Sequence, residues 1–350
     1  MASPITFGTN TGSAISSKDI NIISEKIYIK IDKDFKVASY IIDYSIYAEK
    51  AGTQIPLLFH ASDYEGNFNI SIDNNTIELI QIPNIYQHAS NSPFDKFSDL
   101  FKPAEYDSSL DVIEIKWNEE STYKYRLNDL KYFETELTKG EHHIHIEYNA
   151  SAWIDESDWV KEYSFRYSLS PAKFWKSFNK LEITIDATAP SMPISTNLGT
   201  PDTGKLDSIA IWNFSTLPAD YIKIEYIPKL SKLSQTLISI DPFGLMLLFG
   251  ISLAIIHILI IIKYRKRNIH KRFSPAVIIG SIIIPFIVLL SLMFFYELID
   301  NIIGKEASRY HGYTFLSVLF YPLAMPIYWI FMWLIDRISK TIYKKKQNRL

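Results

Sequence analysis

The 350-residue sequence contains no cysteine. That absence excludes disulfide bonds, cysteine-ligated zinc, iron–sulfur clusters and thiol catalysis. It does not identify the redox compartment, because a domain large enough to build a hydrophobic core does not need disulfides. The GxSxG, HExxH, P-loop and GxGxxG motifs are also absent. No motif therefore assigns the chain to a known class of hydrolase, metalloprotease or nucleotide-binding enzyme.

Net charge is small, but the charges are unevenly distributed. The formal net charge is -2, yet residues 243–350 carry 14 Lys and Arg against 4 Asp and Glu, whereas residues 1–242 carry 22 against 34. Opposite signs in two parts of a chain indicate different surroundings. An acidic soluble domain repels phosphate backbones, so we predict no nucleic-acid partner.

Three long apolar runs dominate the C-terminal part, at about 243–262, 275–299 and 313–335. At about 1.5 Å rise per residue, each run is long enough to cross a hydrocarbon core of ~30 Å. Buried helices of soluble proteins are rarely apolar on all sides over such lengths. We therefore predict three transmembrane helices within residues 243–350, with the lipid bilayer as their partner.

The basic residues of this region predict its orientation. Residues 263–274 contain six Lys and Arg and no acid, and the tail after residue 335 contains six against Asp336. Three spans place these two segments on the same side, and basic segments stay in the cytoplasm. We expect a bacterial inner-membrane protein with a cytoplasmic C-terminus and an extracytoplasmic, periplasmic N-terminal domain. The alternative, a cytoplasmic domain, would break the positive-inside rule at both segments.

An exported N-terminal domain normally needs a signal peptide. Residues 1–20, which we predict to be flexible, begin Met-Ala-Ser-Pro and lack both a basic n-region and an apolar h-region. We therefore expect a signal peptide outside this sequence, or an earlier start codon.

Residues 21–227 repeatedly alternate apolar and polar side chains. In 26–32, for example, Ile27, Ile29 and Ile31 share one face, as in a half-buried strand. Short runs of this kind, separated by Gly, Asn, Asp, Ser and Pro, predict an antiparallel β-sandwich of one or two modules. We predict that 149–160 is not a strand and that 228–242 links this region to the membrane.

The best candidate metal site lies in 141–147. On a strand, His143, His145 and Glu147 share one face, and two imidazoles with a carboxylate resemble the ligands of zinc or copper. A further donor would have to come from another strand, for which His60 and His88 are candidates. A polar, solvent-facing stripe explains the same pattern without a metal.

Aromatic residues make up 14% of the chain. Trp153, Trp159 and Trp175 are candidates for contact with a partner protein or a glycan, although tryptophans of a sandwich core would give the same composition. Within the membrane, His257 is the candidate polar site, since ionisable groups at that depth are costly. Without an acidic partner in the apolar run, we expect it to hydrogen-bond a neighbouring helix.

Two passages carry a family resemblance. Residues 25–47, and residues 163–186 with Tyr167, Leu169, Ser170, Pro171 and Trp175, resemble bacterial cell-envelope proteins of uncharacterised function. Those proteins have an exported β-sandwich and C-terminal transmembrane helices. The resemblance covers about a fifth of the chain and implies an envelope location without assigning an activity.

Three functional hypotheses remain open from the sequence. The first is a membrane-anchored binding or assembly module that contacts other envelope or membrane proteins. The second is an exported metal-site or hydrolytic enzyme that uses the face of His143, His145 and Glu147. The third is a sensor subunit, which would need a partner because its cytoplasmic segments are too short for an output domain.

Overall fold

A computed structural model describes residues 2–3, 14–15, 19–54, 57–60, 64–80, 101–103, 111–116, 122–127, 130–133, 135–169, 176–309 and 311–347. The chain divides into two units. The β-rich unit comprises Met1–Ile154 and Glu162–Tyr226, and the helical unit comprises Asp155–Lys161 and Ile227–Leu350. The predicted fold class, a mainly β domain followed by three apolar helices, is confirmed.

The described strands are numbered in chain order. They are β1 Ala2–Ser3, β2 Ala14–Ile15, β3 Ile20–Ile31, β4 Val37–Ala48, β5 Gly52–Gln54, β6 Leu57–His60, β7 Tyr64–Ile72, β8 Asn75–Thr76, β9 Phe101–Pro103, β10 Val112–Lys116 and β11 Thr122–Arg126. They continue as β12 Leu130–Phe133, β13 Glu136–Leu137, β14 Gly140–Ser151, β15 Trp153–Asp155, β16 Glu162–Ser168, β17 Ser177–Phe178, β18 Leu181–Asp186, β19 Ser195–Thr196, β20 Thr203–Gly204, β21 Ile209–Phe214 and β22 Tyr221–Tyr226.

The largest sheet has the strand order β20-β21-β18-β3-β4-β14-β7-β8, with β17 beside β3. Its central strands β3, β4 and β14 are 12 residues long. Ile27, Ile29 and Ile31 are buried, as their alternation predicts. Strand β3 pairs with β18 in parallel, although every other long pairing of this sheet is antiparallel.

A four-stranded sheet, β15-β16-β22-β19, forms the second layer. It contributes to the same buried core with Phe165, Tyr167, Ile222 and Ile224. The ring of Tyr40 on β4 stacks on Tyr167 of β16, with centroids 6.3 Å apart. The two sheets therefore close over one core, which is the layered arrangement of a sandwich.

The prediction that 149–160 is not a strand is wrong for part of that stretch. Strand β14 continues to Ser151, and β15 covers Trp153–Asp155. The alternation persists there, with Ala150 buried between the exposed Asn149 and the half-buried Ser151. Because Ala is only weakly apolar, the inward positions do not stand out in the sequence.

The helical unit contains α1 Lys232–Arg267, α2 Pro275–Ile303, a 3-10 helix Thr314–Phe320 and α3 Tyr321–Gln347. The three helices are long and apolar enough to cross a membrane. Ile261, Val277 and Met332, one from each helix, form a buried cluster between them.

Helix α1 begins before the predicted span. The hydroxyl of Ser231 accepts a hydrogen bond from the Ser234 amide at the helix start, so residues 232–240 of the predicted linker are helical. Asp241, with φ 68° and ψ 149°, interrupts the helix immediately before Pro242. The residue before a proline is disfavoured in the α-helical conformation, which explains the break at this position.

Candidate functional site

The predicted metal face lies on β14. His143, His145 and Glu147 are on the side of the strand opposite the buried Ile144 and Ile146. The structure therefore places the three candidate ligands on one face of the strand, at every second position.

The imidazole of His145 lies between two carboxylates. Its Nδ1 is 2.7 Å from Oδ1 of Asp43 on β4, and its Nε2 is 3.1 Å from Oε1 of Glu147. Each ring nitrogen therefore faces a carboxylate oxygen, and two such acceptors favour the protonated form of the ring. Burial lowers the pKa of His145, but the hydrogen bonds to the two carboxylates outweigh it, and the pKa lies above its ordinary value.

Both ring nitrogens of His145 are engaged by carboxylates, whereas a metal ligand needs a neutral imidazole with one nitrogen facing the metal. His143 is also engaged, because its Nδ1 is 3.1 Å from the carbonyl oxygen of Tyr44. Among the residues that the structure describes, no group of three or more His, Cys, Asp or Glu could hold a metal ion. His88 and the side chain of His60 lie outside the described residues. The zinc or copper site therefore stays a prediction.

His142 is a neighbouring residue that sequence reasoning did not use. Its Nδ1 is 2.7 Å from Oδ2 of Asp73, and its Nε2 is 2.7 Å from the carbonyl oxygen of Thr138. Asp73 lies in the turn between β7 and β8, and its Oδ1 also accepts from the amide of His143. These contacts fix that turn against β14, which is a structural role.

Glu25 is a carboxyl group inside the β-rich core, with only 3% of its surface exposed. The hydroxyl of Tyr167 donates to its Oε1 at 3.1 Å, and the hydroxyls of Tyr44 and Tyr167 are 3.0 Å apart. Burial raises the pKa of Glu25 to about 7, and these two hydroxyls offset the burial only in part. The β core therefore holds an acid that changes charge near neutral pH.

A β-bulge explains why the side chain at position 25 faces the core. The pairing of β3 with β4 shifts between Ile22 and Ser24. Ile22 is buried before the bulge, and Glu25, Ile27 and Ile29 are buried after it. An extra residue at a bulge reverses which alternate positions face the core. Glu25 could have been found by extending the alternation of Ile27 and Ile29 two residues towards the N-terminus.

Trp153 is the most exposed of the candidate contact tryptophans that the structure describes. It lies on β15, an edge strand of the four-stranded sheet, and is 41% exposed. The next residue, Ile154, is 43% exposed. The guanidinium of Arg166 on β16 lies 4.0 Å from the centroid of the Trp153 ring. Trp175 lies outside the described residues.

Trp159 belongs to the helical unit and contacts other side chains there. Its ring lies 5.6 Å from Tyr296 and 4.2 Å from His311, measured between centroids. The carboxylate of Asp300 is 2.9 Å from Nδ1 of His311 and also accepts from the hydroxyl of Ser308. Because Ser308 donates to the aspartate and not to the histidine, these residues do not form the serine–histidine–aspartate relay of hydrolases.

His257 joins all three helices. It is 2% exposed, with Nδ1 3.0 Å from the Tyr328 hydroxyl and Nε2 3.0 Å from the Ala276 carbonyl oxygen. The carbonyl oxygen can only accept, so Nε2 donates to it, and in the neutral ring Nδ1 accepts from the Tyr328 hydroxyl. A Cβ at Gly280 would collide with this ring. The expected hydrogen bond to a neighbouring helix is confirmed, and the glycine provides the space for it.

A second polar contact in the helical unit was missed by sequence reasoning, which counted Arg265 as a loop charge. Nε and Nη2 of Arg265 each donate to Asp336 at 2.5 Å, and both residues are buried. This bidentate pair connects α1 to α3. The available signal was that Asp336 is the single acid among the basic residues of the tail.

Comparisons with known proteins do not assign a family. No family model matches the chain, and no curated protein matches its sequence.

Several solved structures are similar over part of the chain. A “putative nutrient binding protein” of Legionella pneumophila is 15% identical over 61% of this chain and 70% of its own, with a TM-score of 0.37. Leukotriene A4 hydrolase of Saccharomyces cerevisiae is 9% identical over 61% of this chain and 30% of its own, with a TM-score of 0.36. An M1 zinc metallopeptidase of Deinococcus radiodurans is 5% identical over 60% and 43%, with a TM-score of 0.30. The chain spans less than half of either enzyme, and similarity at these TM-scores assigns no activity.

Proposed function

We propose that the chain is a membrane-anchored binding module of the bacterial cell envelope. The three apolar helices hold it in the inner membrane. The β-rich unit lies outside the cytoplasm and binds another envelope or membrane protein. This location agrees with the resemblance of residues 25–47 and 163–186 to bacterial envelope proteins. The observation that carries the binding role is the exposed edge formed by Trp153 and Ile154.

This edge has the chemistry of a protein contact. A strand at the edge of a sheet presents unpaired backbone groups that can bind an added strand. Trp153 and Ile154 expose a large apolar area on that strand, and tryptophan and arginine are enriched where binding energy concentrates. Arg166 covers one face of the indole, which holds the ring in place and leaves its remaining surface for a partner.

Photo-crosslinking from position 153 tests the binding role. Trp153 is replaced by a benzophenone amino acid in the full chain, and intact cells of the native host are irradiated. A matched control carries the same amino acid at Ile209, which is 44% exposed on β21. We expect one discrete protein adduct from position 153, none from position 209, and loss of that partner from an affinity-tagged Trp153→Ala chain.

Three results would contradict this role. Equal adducts at both positions would show that position 153 contacts surrounding proteins without specificity. The absence of any protein adduct at position 153, with the protein folded and inserted, would reject a protein partner. An adduct that contains only glycan would transfer the role to sugar binding.

The orientation has a separate test. Because the chain has no cysteine, Lys205→Cys, Lys266→Cys and Lys305→Cys each introduce a single exposed thiol. A membrane-impermeant maleimide added to intact spheroplasts should label positions 205 and 305, and should label position 266 only after permeabilisation. Labelling of position 266 alone in intact spheroplasts would reverse the orientation.

A further inference from the structure

One end of the helical unit carries a dense group of cations. This basic collar consists of Lys266, Arg267, Lys271, Arg272, Arg337 and Lys340. It surrounds the end of α1, the start of α2 and the last turns of α3. The two segments that form it, 263–274 and 336–347, contain Asp336 as their single acid.

That acid does not neutralise the collar. Asp336 accepts two hydrogen bonds from the buried Arg265, so its negative charge is already paired with a cation that is not part of the collar. Among the described residues, no carboxylate forms an ion pair with a collar side chain. Five of the six collar residues are exposed, and Lys340 is half-buried. The collar therefore presents uncompensated positive charge to its surroundings.

The loop between α1 and α2 is fixed to the helices. Nη1 of Arg265 and Nζ of Lys340 both donate to the carbonyl oxygen of Lys271, at 2.8 and 2.9 Å. Two cations from different helices thus hold one backbone group of the loop. The side chains of Lys271 and Arg272 extend from a backbone that is already positioned, which lowers the entropy lost when they bind a ligand.

Aromatic rings lie beside two of the collar cations. The guanidinium of Arg337 lies 4.5 Å from the ring centroid of Trp333, and that of Arg272 lies 5.3 Å from Phe273. Phe273 is 66% exposed. Tryptophan at the end of an apolar span marks the interface between hydrocarbon and headgroups. Cations beside such rings lie where lipid phosphates are found.

We propose that the basic collar binds the phosphate groups of anionic membrane lipids. Each lysine or arginine near an anionic bilayer contributes about 1 kcal/mol of attraction, and the held loop presents its cations without rearrangement. The site is at the opposite end of the apolar spans from the α2–α3 link, and it depends neither on the Trp153 edge nor on which side of the membrane it faces.

Native mass spectrometry of the full chain tests this site. The protein is equilibrated in micelles with equimolar phosphatidylglycerol and phosphatidylcholine, and the ratio of the two retained lipids is measured. The test variant is Lys271→Gln with Arg272→Gln and Arg337→Gln. The control removes equal charge from exposed positions of the β-rich unit, with Lys26→Gln, Lys33→Gln and Lys205→Gln.

We expect the natural chain and the control to retain phosphatidylglycerol preferentially. In the collar variant, the preference for phosphatidylglycerol should fall about fivefold for each cation removed, which is on the order of 100-fold for three. A variant with Lys271→Arg, Arg272→Lys and Arg337→Lys keeps the charge and should keep the preference, which separates lost charge from misfolding.

Three outcomes would overturn the proposal. The natural chain could retain both lipids equally, or the collar and control variants could lose the preference equally. In the third outcome, excess inorganic phosphate displaces the bound phosphatidylglycerol, which would mean that the collar holds a free anion and not a lipid.

Discussion

Replacing Glu25 by Gln should stabilise the β-rich unit, and the gain should depend on pH. Burial raises the pKa of this carboxyl group from 4.5 to about 7. Below pH 4.5 the acid is protonated whether the unit is folded or unfolded. Above pH 7 it is ionised in both states, and the folded state then holds a buried charge. Because one pKa unit corresponds to about 1.4 kcal/mol, the ionised side chain destabilises the fold by roughly 3 kcal/mol.

The sign follows from proton binding. Between the two pKa values the folded protein binds more protons than the unfolded chain, so the free energy of unfolding falls as pH rises through this window. A glutamine keeps an oxygen that accepts from the Tyr167 hydroxyl and cannot ionise. The substitution should therefore add roughly 3 kcal/mol at pH 8 and less than about 1 kcal/mol at pH 5.

Hydrogen exchange of the full chain in a mild detergent measures this difference locally. Peptides from β3, β4 and β14 report the opening free energy of the core strands, after correction for the intrinsic pH dependence of exchange. Glu141→Gln is the control, because it removes the same charge from an exposed position of β14. Its effect should be within about 0.5 kcal/mol at both pH values.

One result would refute the reasoning about Glu25. If Glu25→Gln changed the opening free energy equally at pH 5 and pH 8, its effect could not come from the ionisation of a buried carboxyl group. Packing around the hydroxyls of Tyr44 and Tyr167 would then be the determining factor.

Two further substitutions test the polar contacts of the helical unit. Gly280→Ala places a methyl group against the His257 ring and should lower the free energy of unfolding in sodium dodecyl sulfate by about 1–3 kcal/mol. The control Gly250→Ala meets only a valine side chain and should lower it less. Equal effects of the two substitutions would contradict the steric explanation. Arg265→Gln leaves the buried Asp336 unpaired and should lower the free energy of unfolding by roughly 3–5 kcal/mol. Adding Asp336→Asn should restore much of this loss in the same measurement. A double variant no more stable than Arg265→Gln alone would contradict the pairing.

The sequence allowed the two-part architecture to be predicted because it depends on local patterns. An apolar run of 20 residues specifies a membrane span wherever it occurs. An alternation such as that of Ile27, Ile29 and Ile31 specifies one buried face of a strand. Neither signal depends on which distant segment lies opposite, so both could be read without the structure.

The arrangement of the sites was less predictable, because it depends on pairing. The parallel alignment of β3 with β18 joins residues more than 150 positions apart. One carboxylate beside His145, that of Glu147, comes from the same strand, and the other, that of Asp43, comes from β4. Only the contact with Asp43 depends on the register between the strands. Alternation places a side chain on a face, but it does not identify the group that this side chain meets.

The polar contacts of the helical unit determine more than its stability. His257 and Arg265 are eight residues apart on α1, and their partners Tyr328 and Asp336 are eight residues apart on α3. At about 1.5 Å rise per residue, each pair spans ~12 Å along its helix. Equal spacing allows both contacts to form together when the two helices run in the same direction. Apolar side chains alone would allow α3 to slide along α1 by a turn at little cost, since lipid and leucine are similar surroundings. Such a slide would break both contacts and leave Asp336 buried without its cation. These two contacts therefore select one axial register for α1 against α3, a choice that the apolar composition of the spans does not make.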